Sequence, residues 1–213
     1  MGKLLKGING PFSGKVGTAV GYMWKGIPVI RSKPKQRLKP FTPKELQQQA
    51  KFALMNKFLI GVKELVNITF AGVAVQMTGF NKAFSYNVKN AITGLQPDLA
   101  IDYSMVLLSR GDVPNIESAF VASISPGRLE FTWTDNSGKG KALATDKAFV
   151  AIYNEELLHW KYQLDLATRG AGKCKLNVED ELIGKPLHTY IGFISEDEKD
   201  VTDSLYTGLV NAG

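Results

Sequence analysis

The sequence predicts an α+β protein: a glycine-rich basic N-terminal region with a hairpin, two helices, then a seven-stranded antiparallel β-sandwich. Three observations predict it. Glycine, lysine and proline dominate residues 1–41. Leu46, Ala50, Leu54, Phe58, Val62 and Leu65 recur at intervals of three or four, the spacing of one helix face. After Pro97, short apolar runs alternate with turn signals at regular spacing, the pattern of an all-β module. The expected divisions are a basic arm and hairpin over 1–41, a helical middle over 42–112 and a sandwich over 113–213.

In the first region, residues 18–24 and 27–31 are apolar, β-compatible runs separated by Lys25-Gly26. That spacing reads as a hairpin in which Gly26 takes positive φ. From Ser32 to Pro43 three prolines remove backbone donors, and Arg31, Lys33, Lys35, Arg37 and Lys39 repel one another. An extended arm is expected there.

Helix initiation is sharply marked. Thr42 suits the N-cap, Pro43 the first helical position and Glu45 the third, completing a capping box. This helix is expected to run to about Val66. Residues 68–76 mix β-branched side chains with Gly72 and stay ambiguous. A shorter helix is expected over 81–92, with Phe84, Val88, Ala91 and Ile92 inward and Gly94 ending it.

Candidate strands follow at 103–108, 118–124, 129–133, 149–153, 160–166, 173–178, 189–194 and 204–210. Pro126-Gly127, 135–138, 169–172 and 184–186 supply turns between them. The last seven of these runs, in about 100 residues, are what an aligned sandwich needs. Trp133 and Tyr190 are the expected core anchors. Their placing resembles a fibronectin type III or immunoglobulin-like module lacking the inter-sheet disulfide, since Cys174 is the single cysteine.

Charge divides the chain. Residues 1–63 hold 13 Lys or Arg and one acid, Glu45, for a net of +12; residues 64–213 hold 13 bases and 19 acids, for −6. Such polarity points to an acidic partner or to contact between copies rather than to catalysis.

The run Gly7-Ile-Asn-Gly-Pro-Phe-Ser-Gly-Lys-Val-Gly17, with Trp24-Lys25-Gly26 and Arg31-Ser32, resembles the N-terminal signature of a domain-of-unknown-function family common in Bacteroidota. The resemblance continues through Ser85-Tyr86-Asn87, Ser109-Arg110-Gly111, residues 131–135, Thr145-Asp146 and residues 189–193. It implies a bacterial protein with no assigned activity and no catalytic residues to carry over. A glycine-rich basic head followed by a sandwich is similar in style to phage and other assembly proteins.

Two sets of candidate contact residues emerge. Gly7, Gly10, Gly14, Gly17 and Gly21 are spaced 3, 4, 3 and 4. On a helix they would line one face, but each interior glycine costs about 0.8–1.0 kcal/mol relative to alanine. A loop or strand needing positive φ or close backbone approach is therefore preferred. Lys15, Lys25, Arg31, Lys33, Lys35, Arg37 and Lys39 form the second set, for assembly or polyanion contact. In an extended chain Lys33, Lys35, Arg37 and Lys39 project to one side toward successive phosphates. Tyr22, Trp24 and Phe41 flank them and offer stacking surfaces. The competing readings are a solvated tail, or pairing with the acidic sandwich of another copy through the 195–200 loop.

Other constellations fail on spacing. Gly10 to Lys15 has three residues where a phosphate loop has four, and Val16 stands where Ser or Thr binds Mg²⁺. The 195–200 segment lacks the glycine and ligand spacing of a calcium loop. His159 and His188 have no partner at metal-ligand spacing. Lys173 and Lys175 would lower the Cys174 pKa, yet no base accompanies it. Adjacent carboxylates such as Glu155-Glu156 and Asp180-Glu181 suggest no glycosidase pair. Lys6 stands where a myristoylation signal has Ser or Thr, and the most apolar window, 58–77, is too polar for a membrane span. The expectation is a non-enzymatic structural or assembly protein without cofactor or metal, cytoplasmic and without a signal peptide. It would self-associate or join a larger assembly, and binding of DNA or RNA is the alternative.

Overall fold

The structure, a computed structural model, describes residues 3–4, 10–24, 26–36 and 38–213, the first two by backbone alone. The chain divides into two compact units, Met1–Pro43 and Lys44–Gly213.

In the first unit β1 (Lys3–Leu4), β2 (Phe12–Val16), β3 (Ala19–Trp24) and β4 (Ile27–Ser32) form one antiparallel sheet in that order. Val16 pairs with Ala19, and Trp24 with Ile27, so the β2–β3 and β3–β4 hairpins close through two residues. Two-residue turns need positive φ to match strand twist, and Gly17 and Gly26 supply it at +57° and +83°. Gly14 and Gly21 are cross-strand partners in β2 and β3 and lie on no helix face. A Cβ on Gly21 would collide with the Phe12 carbonyl oxygen and ring.

The helical region departs from the single long helix expected over 42–66. Helix α1 (Pro43–Leu59) carries Glu45 in its first turn and Lys57 in its last. One 3₁₀ turn, Ile60–Val62, then leads into α2 (Lys63–Thr69). The cause is an indole. Trp160 Nε1 donates to the Phe58 carbonyl at 2.7 Å, and its ring lies against Gly61, where a Cβ would sit 2.8 Å from Cδ1. An acceptor at the turn is thus used from outside the helix, and the path tightens there. The expected stripe is also only half realised. Phe58, Val62 and Leu65 are buried and Ala50 and Leu54 half-buried, but Leu46 is 44% exposed.

Helix α3 (Gly79–Asn90) begins two residues before the expected start because Thr78 Oγ1 accepts the Asn81 amide at 3.1 Å. It ends at Asn90. Ile92 belongs instead to β5 (Ile92–Thr93), which pairs with β6 (Ala100–Ile101), and Gly94 turns the chain between them at φ +78°. The strand expected at 103–108 is likewise replaced. Tyr103–Met105 is a 3₁₀ turn in which Asp102 accepts the Ser104 amide at 3.1 Å. Beyond it Leu107 bonds the side chain of Asn87 rather than a neighbouring strand.

Seven strands complete the second unit: β7 (Glu117–Ser125), β8 (Arg128–Thr134), β9 (Lys147–Asn154), β10 (His159–Gln163), β11 (Lys173–Asn177), β12 (Pro186–Ile194) and β13 (Leu205–Asn211). They form two antiparallel sheets, β11-β8-β7 and β10-β9-β12-β13. Because β10 pairs with β9, the fourth strand lies in the opposite sheet from its place in a constant-type immunoglobulin domain.

Side-chain alternation divides β9 and β12 between two cores. Val150, Ile152, Ile191 and Phe193 face the other sheet and meet Leu129, Phe131, Trp133 and Leu176. Phe149, Ala151, Tyr153 and Tyr190 face the opposite way and meet Phe58, Leu59, Leu65, Val66 and Val88 from the helices. This is why β9 reads as an unbroken apolar run: both its faces are covered. Trp133 is an inter-sheet anchor, edge-on to Phe193 at 5.3 Å. Tyr190 anchors the other core and donates its hydroxyl proton to the Tyr103 carbonyl at 2.9 Å.

Among the described residues one ion pair is wholly buried. Arg169 Nε donates to Asp146 Oδ2 at 3.1 Å, and their side chains are 0% and 2% exposed. Arg169 Nη1 donates to Asn136 Oδ1 at 2.6 Å, and the guanidinium lies 4.2 Å from the Phe193 ring centroid. The Arg169 carbonyl accepts Trp133 Nε1 at 2.7 Å. Burial holds the Arg169 pKa below its ordinary value, with Asp146 acting against that. Asp146 Oδ1 and Arg169 Nη2 have no hydrogen-bond partner among the described residues.

Candidate functional site

The candidate surface is the sheet of the first unit. Cross-strand partners share a face and successive residues alternate, so the pairings assign every side chain. Phe12, Val16, Ala19, Met23, Pro28 and Ile30 share one face. Lys15, Val20, Tyr22, Trp24, Ile27, Val29 and Arg31 share the other. The first face is apolar yet open: Val16 is 54%, Met23 48% and Ile30 63% exposed. The second mixes cations with aromatic rings, and the Arg31 guanidinium lies 5.7 Å from the Tyr22 ring centroid. Such a contact orients a cation without neutralising it.

Of the residues singled out in the sequence, Lys15 and Arg31 are brought together, as partners of Val20 from either side. Lys33 continues the sheet, its amide donating to the Thr18 carbonyl at 2.6 Å. Lys35 and Lys39 lie exposed in irregular chain beyond β4. Gly10 is half-buried at a bend. Gly7, Lys25 and Arg37 lie outside the described residues. The apolar face went unread in the sequence, because Val16, Met23 and Ile30 stand on three strands and only register unites them.

Gly21 alone is buried among the described residues of this unit. A sheet of this size needs a hydrophobic face covered by something else to be stable in water.

The titratable candidates of the second unit are occupied structurally. His159 Nε2 lies 3.0 Å from Glu179, which Lys161 also approaches at 3.3 Å. Burial works against the Glu179 carboxylate, yet Lys161 and the His159 ring hold its pKa below the ordinary range. Cys174 is buried, and burial, with Glu130, pushes its thiol up to about 12. This corrects the expectation that Lys173 and Lys175 would lower it: β11 alternates, so both lysines point away from the thiol. Burial, with Glu155, raises the hydroxyl of Tyr153 to about 12. No group of three or more potential metal ligands occurs among the described residues, and no described helix is long and apolar enough to cross a membrane.

His188 stacks on Tyr103 with 3.6 Å between centroids and shares a 2.9 Å hydrogen bond between Nδ1 and the Tyr206 hydroxyl. Burial lowers its pKa, with Glu155 opposing. The unfolded chain takes up this proton near pH 6.5 while the folded chain resists. Its contribution to stability is full above about 6.5 and declines as pH falls toward the lower folded pKa. The melting temperature of the protein should therefore drop more between pH 7 and pH 5 than that of His188→Gln. Parallel curves would remove His188 as the source.

Comparison with known families supplies the decisive match: the profile of a family of unknown function, DUF6266, covers residues 11–208. The chain belongs to this family. The match takes in β2 to β4 as well as the helices and nearly all of the sandwich, so the basic sheet lies within the family's extent. Among curated proteins no match was found. Solved structures similar to the chain include the fn3 domain of human collagen α-1(XX) chain, at 13% identity and TM-score 0.35, covering 49% of this chain and 93% of that one. The fn3 domain of human contactin 1 gives 8% identity and TM-score 0.34, covering 49% and 83%. A computationally redesigned β-sandwich protein gives 11% and 0.33, covering 48% and 94%. The sandwich itself is established by the strand pairing described above.

Proposed function

We propose that the protein is a non-enzymatic structural component of a multimeric, phage-like assembly built in the cytoplasm, and that its β1–β4 sheet is the assembling surface. The same reading takes the glycine signature of residues 7–17 as the device that builds this sheet, in a protein of Bacteroidota. One observation carries it: an antiparallel sheet presents Val16, Met23 and Ile30 on a single open face while no described side chain of its unit is buried.

The occupant is a second copy of this chain. Charge complementarity favours it, because a leading segment of net +12 meets a remainder of net −6 and opposite potentials steer association. Glu196 and Glu198, exposed in the β12–β13 loop, are acidic contacts for the cationic arm. Charged side chains at Met23 and Ile30 would have to be desolvated on docking. Sedimentation should accordingly place the full chain well above 23.3 kDa and the Met23→Glu/Ile30→Glu variant at the monomer. A wild-type monomer at all concentrations, with or without nuclease, ends the proposal.

A second reading rests on the opposite face, where Lys15 and Arg31 stand with Tyr22 and Trp24. Cations beside stacking rings suit single-stranded nucleic acid. That reading requires a gel shift that weakens steeply as salt rises and that Arg31→Gln reduces.

A further inference from the structure

The second unit carries a concave cationic surface on α3. Lys82, Ser85, Tyr86, Lys89 and Asn90 recur at i, i+3, i+4, i+7 and i+8 and share one helix face, and Arg110 borders it across an open concavity of about 290 Å³. The Arg110 guanidinium lies 4.9 Å from the Tyr86 ring centroid. None of Lys82, Lys89 and Arg110 takes part in an ion pair among the described residues.

What distinguishes Arg110 from an ordinary surface arginine is its backbone. Asn87 donates to the Leu107 carbonyl and accepts the Leu107 amide, both at 2.9 Å, which fixes this segment in register with α3. The Leu108 amide donates to Ser204 Oγ at 2.8 Å, and Ser109 Oγ to the Thr202 carbonyl at 2.7 Å. The Arg110 amide donates to the Thr69 carbonyl at 3.3 Å. Four consecutive residues are thus pinned to three other segments, which fixes the Arg110 backbone beside α3, and the exposed guanidinium rests over the Tyr86 ring. Pre-organisation lowers the cost of binding. Asp112 and Asp203 line the adjoining concavity with Lys82 and Arg110 but not this one; Asp203 accepts the Gly111 amide at 3.1 Å and Asp112 lies 4.0 Å from Lys141.

We propose that this pocket binds a phosphate monoester group. Three unpaired cations converge on one concavity, the arginine offers a planar fork for two phosphate oxygens, and the Ser85 hydroxyl adds a neutral donor. A compact cluster suits one dianionic group, whereas a nucleic-acid backbone of monoanionic diesters calls for cations spread along a track. The site is independent of the assembling sheet.

The test is a residue-resolved ¹H–¹⁵N titration of the full chain with inorganic phosphate, O-phosphoserine and a 5′-hydroxyl hexathymidylate, which carries diesters alone. Phosphate and phosphoserine should shift the Tyr86, Lys89, Arg110 and Gly111 amides along saturating curves. Arg110→Gln should weaken this by about tenfold, and Lys82→Gln/Lys89→Gln by a comparable factor, both variants keeping the wild-type melting temperature. Shifts spread evenly over all lysine neighbourhoods, or no saturation at these amides, overturn the proposal. Tighter binding of the hexathymidylate than of phosphoserine at the pocket overturns it in favour of a nucleic-acid track. Should either variant fail to fold, the wild-type saturation curves alone decide.

Discussion

Replacing Arg169 with methionine should lower the unfolding free energy of the second unit by about 3–5 kcal/mol, the cost of leaving a buried charge without its partner. The Asp146 carboxylate would keep the Leu143 amide at 3.0 Å and lose the guanidinium that pairs with it. Asn136 would lose the guanidinium at 2.6 Å. Neutralising both ends in Arg169→Met/Asp146→Asn should recover most of the loss, since an apolar or neutral replacement of a buried pair is often tolerated. Urea denaturation with an unchanged m-value is the measurement. A single variant within about 1 kcal/mol of the wild type would show that water reaches the pair.

Trp160→Ala should cost a similar amount, about 3–5 kcal/mol for an emptied aromatic site. The indole packs on Phe58 at 4.9 Å, Tyr153 at 4.8 Å and Tyr190 at 5.8 Å between centroids, so its loss opens the core between helices and sheet. Trp160→Phe separates the two roles of the residue. It keeps a ring in the cavity but strands the Phe58 carbonyl, for about 1–3 kcal/mol. The phenylalanine variant should also let α1 run straight toward α2, visible as altered amide shifts at 60–63. If the alanine variant unfolds with the wild-type midpoint, the joint between α1 and α2 does not rest on this side chain.

The parts of the fold written in local chemistry were legible. Strands β7 to β13 each coincide with an apolar run bounded by turn residues, and the start of α1 at Pro43 follows from Thr42, Pro43 and Glu45. What escaped depends on distant partners. Nothing between Phe58 and Val62 announces that an indole a hundred positions away will take a carbonyl. Tyr103 begins an apolar, β-compatible run, yet its residues are claimed by Asn87 and Ser204, so no ladder forms. Asp146 and Arg169 each look like turn residues, and their burial follows only from two loops closing one end of the sandwich. In the candidate site the cations of 15–39 were readable from composition. The open apolar face was not, since Val16, Met23 and Ile30 become neighbours only through register. The pocket on α3 lay in plain sight as Ser85-Tyr86-Asn87 and Ser109-Arg110-Gly111, two segments without evident chemistry until Asn87 joins them.

The shared ownership of β9 has a consequence for how this molecule can be subdivided. Its odd-numbered residues from Phe149 to Tyr153 belong to the helices and its even-numbered ones to the opposing sheet. A sandwich excised at residue 113 would keep every strand pairing and still present Phe149, Tyr153, Trp160 and Tyr190 to water as a greasy wall. The helical layer is thus a lid the sandwich cannot shed, and excising the strands alone would trade a covered face for a sticky one.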